Sequence, residues 1–121
     1  MNALFEKYGK EVEFLLVYIR EAHSTDGWQL PANERDGVLL ESAKSMDQKE
    51  DHATSCVRKL NIKFTTLVDN MDNLVETNYA GWPDRLYLVG RDGRIAFKGA
   101  PGPGGFRPPE LEAAIRKELG R

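Results

Sequence analysis

A stretch of nine residues, REAHSTDGW at positions 20–28, holds four side chains that can take part in chemistry. Glu21 and Asp26 carry carboxylates, His23 an imidazole and Trp28 an indole. A segment that only leads the chain out of the core is usually built from Gly, Pro or Asn. Because imidazole titrates near neutral pH, His23 is suited to give a proton to a reacting atom. Glu21 can orient that imidazole or share its proton.

These residues also have structural interpretations, which stay open at this point. A lone histidine is often a surface residue. Asp26 and Gly27 are better suited to shaping a turn than to reacting. Trp28 can pack a loop or form an aromatic wall for a ligand.

Composition narrows the classes of function. The 121 residues are predicted to form one domain, 1–121, with 40% hydrophobic and 30% charged residues, as in soluble globular proteins. A net charge of −2 argues against nucleic acid as a partner. No apolar run approaches the ~20 residues of a membrane span. Cys56 is the single cysteine, which excludes an internal disulfide and zinc sites of several cysteines. We therefore expect a cytoplasmic protein with no metal site.

The candidate site follows a strand-like segment. Residues 12–20, VEFLLVYIR, are almost continuously apolar, which is typical of a strand covered on both faces in a parallel sheet. Open α/β sheets bind ligands at the carboxyl ends of their strands. Residues 21–46 show no period and are predicted to be an inserted functional loop.

The remaining segments alternate between helical and extended patterns. They predict helices over 2–10, 47–60 and 72–80, strands over 64–69, 85–89 and 94–98, and a final helix with its buried stripe at Leu111, Ala114, Ile115 and Leu119. Asp92-Gly93 predicts a hairpin between the last two strands. In the helix over 47–60, Cys56 shares an apolar stripe with Ala53, Val57 and Leu60. A thiol there is interpreted as a packed group and not as a nucleophile.

The order of elements, α-β-loop-α-β-α-β-β-α, is typical of a thioredoxin-like α/β fold, with a mixed sheet and flanking helices. That fold begins with a strand and a catalytic loop before its first helix. We expect the N-terminal strand and the catalytic loop to be missing from these 121 residues.

Five ordered motifs carry a family resemblance. They are FLLVYIREAHSTDGW, LVDNMDN, WPDRLYLV, DGRIAFKG and PGPGGFRPPEL. Together, from about Phe14 to the C-terminus, they resemble the iodothyronine deiodinase family in its bacterial deiodinase-like branch. The resemblance implies a thiol or selenol oxidoreductase that removes iodide reductively from an iodinated aromatic ring of the iodothyronine type.

The resemblance also assigns residues. It implies that His23 and Glu21 lie beside the catalytic selenium, that Tyr18 matches the family tyrosine on the same strand, and that Arg85 helps to hold a small aromatic or phenolic substrate. We expect Tyr18 and Trp28 to contact that substrate as well. It implies no bound cofactor, and an external thiol reductant or thioredoxin-type donor. The segment similar to EFLLVYIREAH is linked to homodimers in the animal enzymes, so a homodimer is one expected state. We expect His23, Glu21 and Arg85 to meet in one pocket.

Two other functions stay open: a redoxin acting on peroxides or disulfides, and a non-catalytic domain that binds an aromatic ligand. The deiodinase interpretation needs an attacking selenocysteine or cysteine upstream of the first strand. Because UGA encodes selenocysteine and is read as a stop, we expect an in-frame UGA or cysteine codon about 15–30 codons before Met1, the length of one helix and its preceding loop.

Overall fold

A computed structural model of the chain describes residues 1–21 and 42–121. Over these ranges the helices and strands follow the predicted order. They are α1 (Asn2–Tyr8), β1 (Leu15–Tyr18), α2 (Met46–Leu60), β2 (Thr65–Val68), α3 (Leu74–Tyr79), β3 (Tyr87–Val89), β4 (Ile95–Lys98) and α4 (Pro108–Glu118). The molecule is therefore an α/β protein of small sheets with flanking helices. Most of the predicted loop over 21–46 lies outside the described residues.

Helix α2 begins at a side-chain cap. Ser45 has extended backbone angles, and its Oγ accepts a hydrogen bond from the Gln48 amide at 3.2 Å. The Gln48 side chain in turn accepts from the amide of Lys44 at 2.7 Å. These contacts satisfy two backbone donors at the helix start. Ser45 followed three residues later by Gln48 is a sequence signature of a helix start, and the structure confirms the Ser45 cap.

Strands β1 and β2 pair in parallel, with Leu15 opposite Thr65 and Tyr18 opposite Val68. This confirms the predicted adjacent and parallel pair. Because parallel strands end at the same edge, the residues that follow Tyr18 and Val68 come together there. That edge is where the sequence places its candidate site.

Strands β3 and β4 form the predicted antiparallel hairpin. Gly93 lies in its turn at φ 79°, a backbone angle that glycine adopts without steric cost. The amide of Gly93 donates to the Gly90 carbonyl at 3.0 Å, and Gly90 donates to Arg94 at 2.8 Å. The Asp-Gly pair in the sequence is thus a true turn signal.

The strands form two two-stranded sheets, β1-β2 and β3-β4, where we expected one mixed sheet. In the described ranges, each of the four strands has one edge without a strand partner. The arrangement is compatible with a thioredoxin-like fold. The expectation that the first strand is covered on both faces is wrong for Leu15, which is 54% exposed.

The buried core lies where α1 and α4 meet the strands. Its buried apolar residues are Leu4, Tyr8, Phe14, Leu88, Leu111 and Ile115. Ala114 and Leu119 pack against this cluster, which confirms the predicted stripe of α4. Tyr8 also ties α1 to α4, since its hydroxyl donates to Glu112 at 2.8 Å.

The predicted stripe of α2 is wrong at its end, because Leu60 is 51% exposed. Fifteen helical residues extend about 22 Å, whereas the four residues of β2 extend about 13 Å. One end of the helix therefore passes beyond the sheet that could cover it. Within the described ranges, no helix is both long and apolar enough to cross a membrane.

Candidate functional site

A cavity of about 140 Å³ lies at the carboxyl end of β1. Its walls come from the end of β1, the segment leading into α2, one face of α2, and the turn after β2. The lining residues are Tyr18, Ile19, Arg20, Glu21, Ser42, Ala43, Lys49, His52, Met71 and Asn73. The cavity therefore occupies the strand edge at which parallel α/β sheets bind ligands.

Tyr18 and Glu21, both predicted from the sequence as site residues, line this cavity. Tyr18 is the last residue of β1, opposite Val68, and its hydroxyl faces α2. Glu21 follows three residues later and is half-buried, with its Oε1 shielded from solvent. A phenol and a carboxylate thus stand in one small cavity. Both groups can hold or pass a proton.

Cys56 lies just behind the cavity wall. Its Sγ is 4.0 Å from the Tyr18 hydroxyl. Burial raises the pKa of the thiol from 9.0, and the negative charge of Glu21 raises it further, to about 11, against the opposing charge of Lys59. At neutral pH Cys56 is therefore a protonated thiol. Since the thiolate is the nucleophile, Cys56 is unsuited to attack a substrate, in line with its sequence-based interpretation.

We expect Cys56 to react with iodoacetamide at neutral pH about tenfold more slowly than an unperturbed thiol. A pKa rise of this size lowers the thiolate fraction about 100-fold, and the higher nucleophilicity of the more basic thiolate offsets part of that loss. Labelling followed by mass spectrometry measures the rate. Unfolding in urea should restore the ordinary rate, and a Cys56→Ser variant should show no labelling. A folded-state rate above that of the unfolded chain would show an activated cysteine.

Asp69, at the end of β2, holds the turn that forms one wall of the cavity. Its carboxylate is buried and accepts three backbone hydrogen bonds, from Asn70 at 2.9 Å, Val75 at 3.0 Å and Glu76 at 2.9 Å. Desolvation raises its pKa, but these donors and the positive charge of Lys49 outweigh it, so the pKa is held below 3.8. The carboxylate therefore stays charged and fixes the turn that contributes Met71 and Asn73.

Sequence reasoning missed Lys49 and His52 as cavity residues. Lys49 is buried, and its Nζ donates to the Asn70 carbonyl at 3.2 Å. His52 lines the cavity, and its Nδ1 is buried without a hydrogen-bond partner in the described part of the chain. Both lie on one helical face with Ala53 and Cys56, at spacings of three and four residues. A search for residues of any type at that spacing, and not only for apolar residues, would have identified Lys49 and His52.

The other predicted site residues are not among the described residues that line the cavity. His23 and Trp28 lie outside the described residues. Arg85 lies just before β3, half-buried, with its Nε shielded and without a hydrogen-bond partner in the described ranges, and it is not among the lining residues. The predicted meeting of His23, Glu21 and Arg85 therefore stays a prediction, as does the role of Arg85 in binding substrate.

A second, more open groove of about 340 Å³ lies between α2 and β2. Among the described residues that line it, Ala53, Val57 and Val68 are apolar and Glu50 is titratable. It offers little for acid–base chemistry. Among residues 1–21 and 42–121, no group of three His, Cys, Asp or Glu side chains is placed to hold a metal ion.

Comparison with known proteins identifies the family. The profile of the iodothyronine deiodinase family matches residues 1–119. The chain belongs to the iodothyronine deiodinase family. The resemblance drawn from the five sequence motifs is thereby confirmed at the level of the family.

Individual deiodinases are similar over nearly the whole chain. A type I iodothyronine deiodinase of Xenopus laevis is 30% identical over 120 residues, which cover 97% of this chain and 44% of the relative. Thyroxine 5-deiodinases of Sparus aurata and Ovis aries are 36% and 30% identical, over 87% and 94% of this chain and 38% and 37% of their own lengths. The chain thus spans less than half the length of these deiodinases.

Proposed function

We propose that this protein is a deiodinase-like oxidoreductase that removes iodide reductively from an iodinated aromatic substrate. The family match over residues 1–119 carries the proposal. The cavity at the end of β1 supports it, because Tyr18 and Glu21, two of the three described members of the proposed site, line one space, whereas Arg85 is not among its lining residues. Its volume of about 140 Å³ is close to the roughly 150 Å³ of a cavity that holds benzene, and Tyr18, Ile19 and Met71 supply apolar surface in an otherwise largely polar lining.

The proposed reaction has two stages. A selenolate or thiolate attacks iodine, the carbon–iodine bond breaks, and the ring carbon takes a proton from His23. The resulting selenenyl or sulfenyl iodide is then reduced by two external thiols, which end as a disulfide while iodide leaves. In sum, an aryl iodide and two thiols give an arene, iodide, a proton and a disulfide. Glu21 orients or reprotonates the imidazole, and no bound cofactor is needed.

We place the attacking sulfur or selenium atom outside these 121 residues. The chain has one cysteine, Cys56, whose pKa of about 11 keeps it protonated at neutral pH. A soft and ionised sulfur or selenium is required for attack on iodine. We propose a selenocysteine or cysteine encoded upstream of Met1, a thioredoxin-type thiol donor as reductant, a cytoplasmic location and a homodimer as the expected assembly.

The test is iodide release by the complete gene product. The DNA preceding Met1 is read in frame with UGA as selenocysteine, and the encoded protein is incubated with an iodinated phenol and dithiothreitol. We expect iodide and the deiodinated phenol in equal amounts, and none after the attacking residue is replaced by serine. The absence of an in-frame UGA or cysteine codon, or of iodide release, would count against the proposal.

A non-catalytic, ligand-binding role is the second candidate, and the raised pKa of Cys56 is the observation that favours it. In that case the printed chain binds an iodinated phenol in the cavity without releasing iodide under any thiol condition. Calorimetric titration combined with an iodide assay separates the two functions.

A further inference from the structure

A buried ammonium group lines the cavity and takes no part in the proposed proton path. Lys49 is only 3% exposed, and it is one of the lining residues. A lysine is almost never buried this deeply unless its charge is paired. The charge of Lys49 therefore needs a balancing group.

The described neighbours of Lys49 balance its charge only in part. Its Nζ donates to the Asn70 carbonyl at 3.2 Å, which uses one of the three N–H groups of an ammonium. Within residues 1–21 and 42–121, the ion pairs at 4.0 Å or less do not include Lys49. Asp69 attracts Lys49, but its carboxylate already accepts three backbone N–H groups. The ammonium group thus keeps donor capacity for a ligand in the cavity.

Two further charged side chains, Arg20 and Glu21, are among the described residues of the lining. The Arg20 guanidinium already pairs with Glu76 at 3.3 Å. Glu21 adds a negative charge, which opposes the binding of an anion. Tyr18 and Asn73 carry neutral groups that can donate hydrogen bonds. A singly charged anion is therefore the ligand that the lining can hold, and Glu21 limits its affinity.

The apolar part of the lining favours a large, weakly hydrated anion. Ile19 contributes aliphatic surface, and Met71 contributes a polarisable thioether. An ion that water holds less strongly costs less free energy to bury, and among the halides iodide is the one that water holds least strongly. Iodide is also the anion that the proposed reaction releases.

We propose that Lys49 is a product-binding residue that holds the iodide ion set free in the second stage of the proposed reaction. The identity of the anion rests on the proposed function. When the selenium–iodine or sulfur–iodine bond breaks, iodide leaves with the bonding electron pair, a thiol sulfur takes its place, and the proton of that thiol passes to solvent. The Lys49 ammonium stabilises the charge that iodide gains in this step. It also delays the departure of iodide, so added iodide slows turnover.

The test titrates the printed chain with sodium iodide at constant ionic strength, with sodium fluoride as the balancing salt. NMR of methyl-labelled methionine follows Met71, a lining residue whose signal is the one absent from Met71→Leu. We expect a saturable shift with iodide and about tenfold weaker binding of chloride. Lys49→Gln should weaken iodide binding at least about tenfold, because it removes a charged donor. Lys10→Gln removes an exposed lysine charge and is the matched control, with an expected change of less than about twofold.

A further variant should change the affinity in the opposite direction. Glu21→Gln should bind iodide about fivefold more tightly, because the cavity loses a negative charge. In the unmodified chain, the buried Lys49 ammonium exchanges slowly with water, so its nitrogen signal should be visible and should shift at the same iodide concentrations.

Three results would overturn the inference: no saturable shift in the unmodified chain, equal iodide affinity of Lys49→Gln, or weaker binding by Glu21→Gln. The nitrogen signal is measured without any substitution, so the test does not depend on the folding of a variant. These are binding results, so they are distinct from a failure of iodide release, which would overturn the proposed function.

Discussion

Replacement of Glu21 by glutamine in the complete gene product is expected to lower the rate of iodide release about 100-fold. The substitution keeps the size of the side chain in the cavity but removes its charge and its ability to carry a proton. General acid–base groups typically contribute factors of this size or more. His23→Ala should cause a loss of about 100-fold or more, because it removes the proposed proton donor. The double variant should lose less than the product of the two single losses, since the two residues act on one proton.

The Glu21 prediction has a matched control and a second, independent measurement. Glu13→Gln removes a carboxylate from an exposed position just before β1 and should leave the rate unchanged. The charge of Glu21 also raises the pKa of Cys56. In Glu21→Gln that pKa should therefore fall, and iodoacetamide should label Cys56 faster, whether or not the protein turns over. Unchanged iodide release in Glu21→Gln would remove Glu21 from the proton path.

Replacement of Asp69 by asparagine is expected to lower the free energy of unfolding by about 2–4 kcal/mol. The carboxylate accepts three backbone hydrogen bonds at 2.9–3.0 Å in a buried position. An amide group presents two N–H donors to a site built from donors, and it loses the attraction to Lys49. Urea denaturation measures the change, and Asp72→Asn, an exposed neighbour, is the control and should shift stability by less than about 0.5 kcal/mol.

The same carboxylate gives stability a defined pH dependence. Its pKa in the folded state lies below the ordinary value of 3.8. Its contribution is therefore fully present at pH values above the unfolded-state pKa, and is lost as the pH falls through the lower folded-state pKa. Urea midpoints measured from neutral pH down into this acid range should converge for the unmodified chain and Asp69→Asn. A constant difference between the two over that range would refute the assigned pKa direction.

Local patterns in the sequence determined most of the elements. The apolar run before Glu21, the Ser45 cap and the Asp92-Gly93 turn each predict a structure that depends on neighbouring residues alone, and each is present. The stripe of α4 was predictable for the same reason, because a period near 3.6 is a property of the helix itself. Family membership also came from the ordered motifs, which need no coordinates.

Tertiary structure alone decided which residues share the cavity. From the sequence, Lys49 and His52 are polar residues of an amphipathic helix. Only the tertiary structure shows that they line the same cavity as the end of β1. The guanidinium carbon of Arg20 lies 5.0 Å from the centre of the Trp82 ring. The two residues are 62 positions apart in the sequence, so no local period predicts this contact. The split into two small sheets and the exposure of Leu60 were likewise invisible in the sequence. Periodicity says which face of an element is apolar, whereas burial depends on how far each neighbouring element extends and where it crosses.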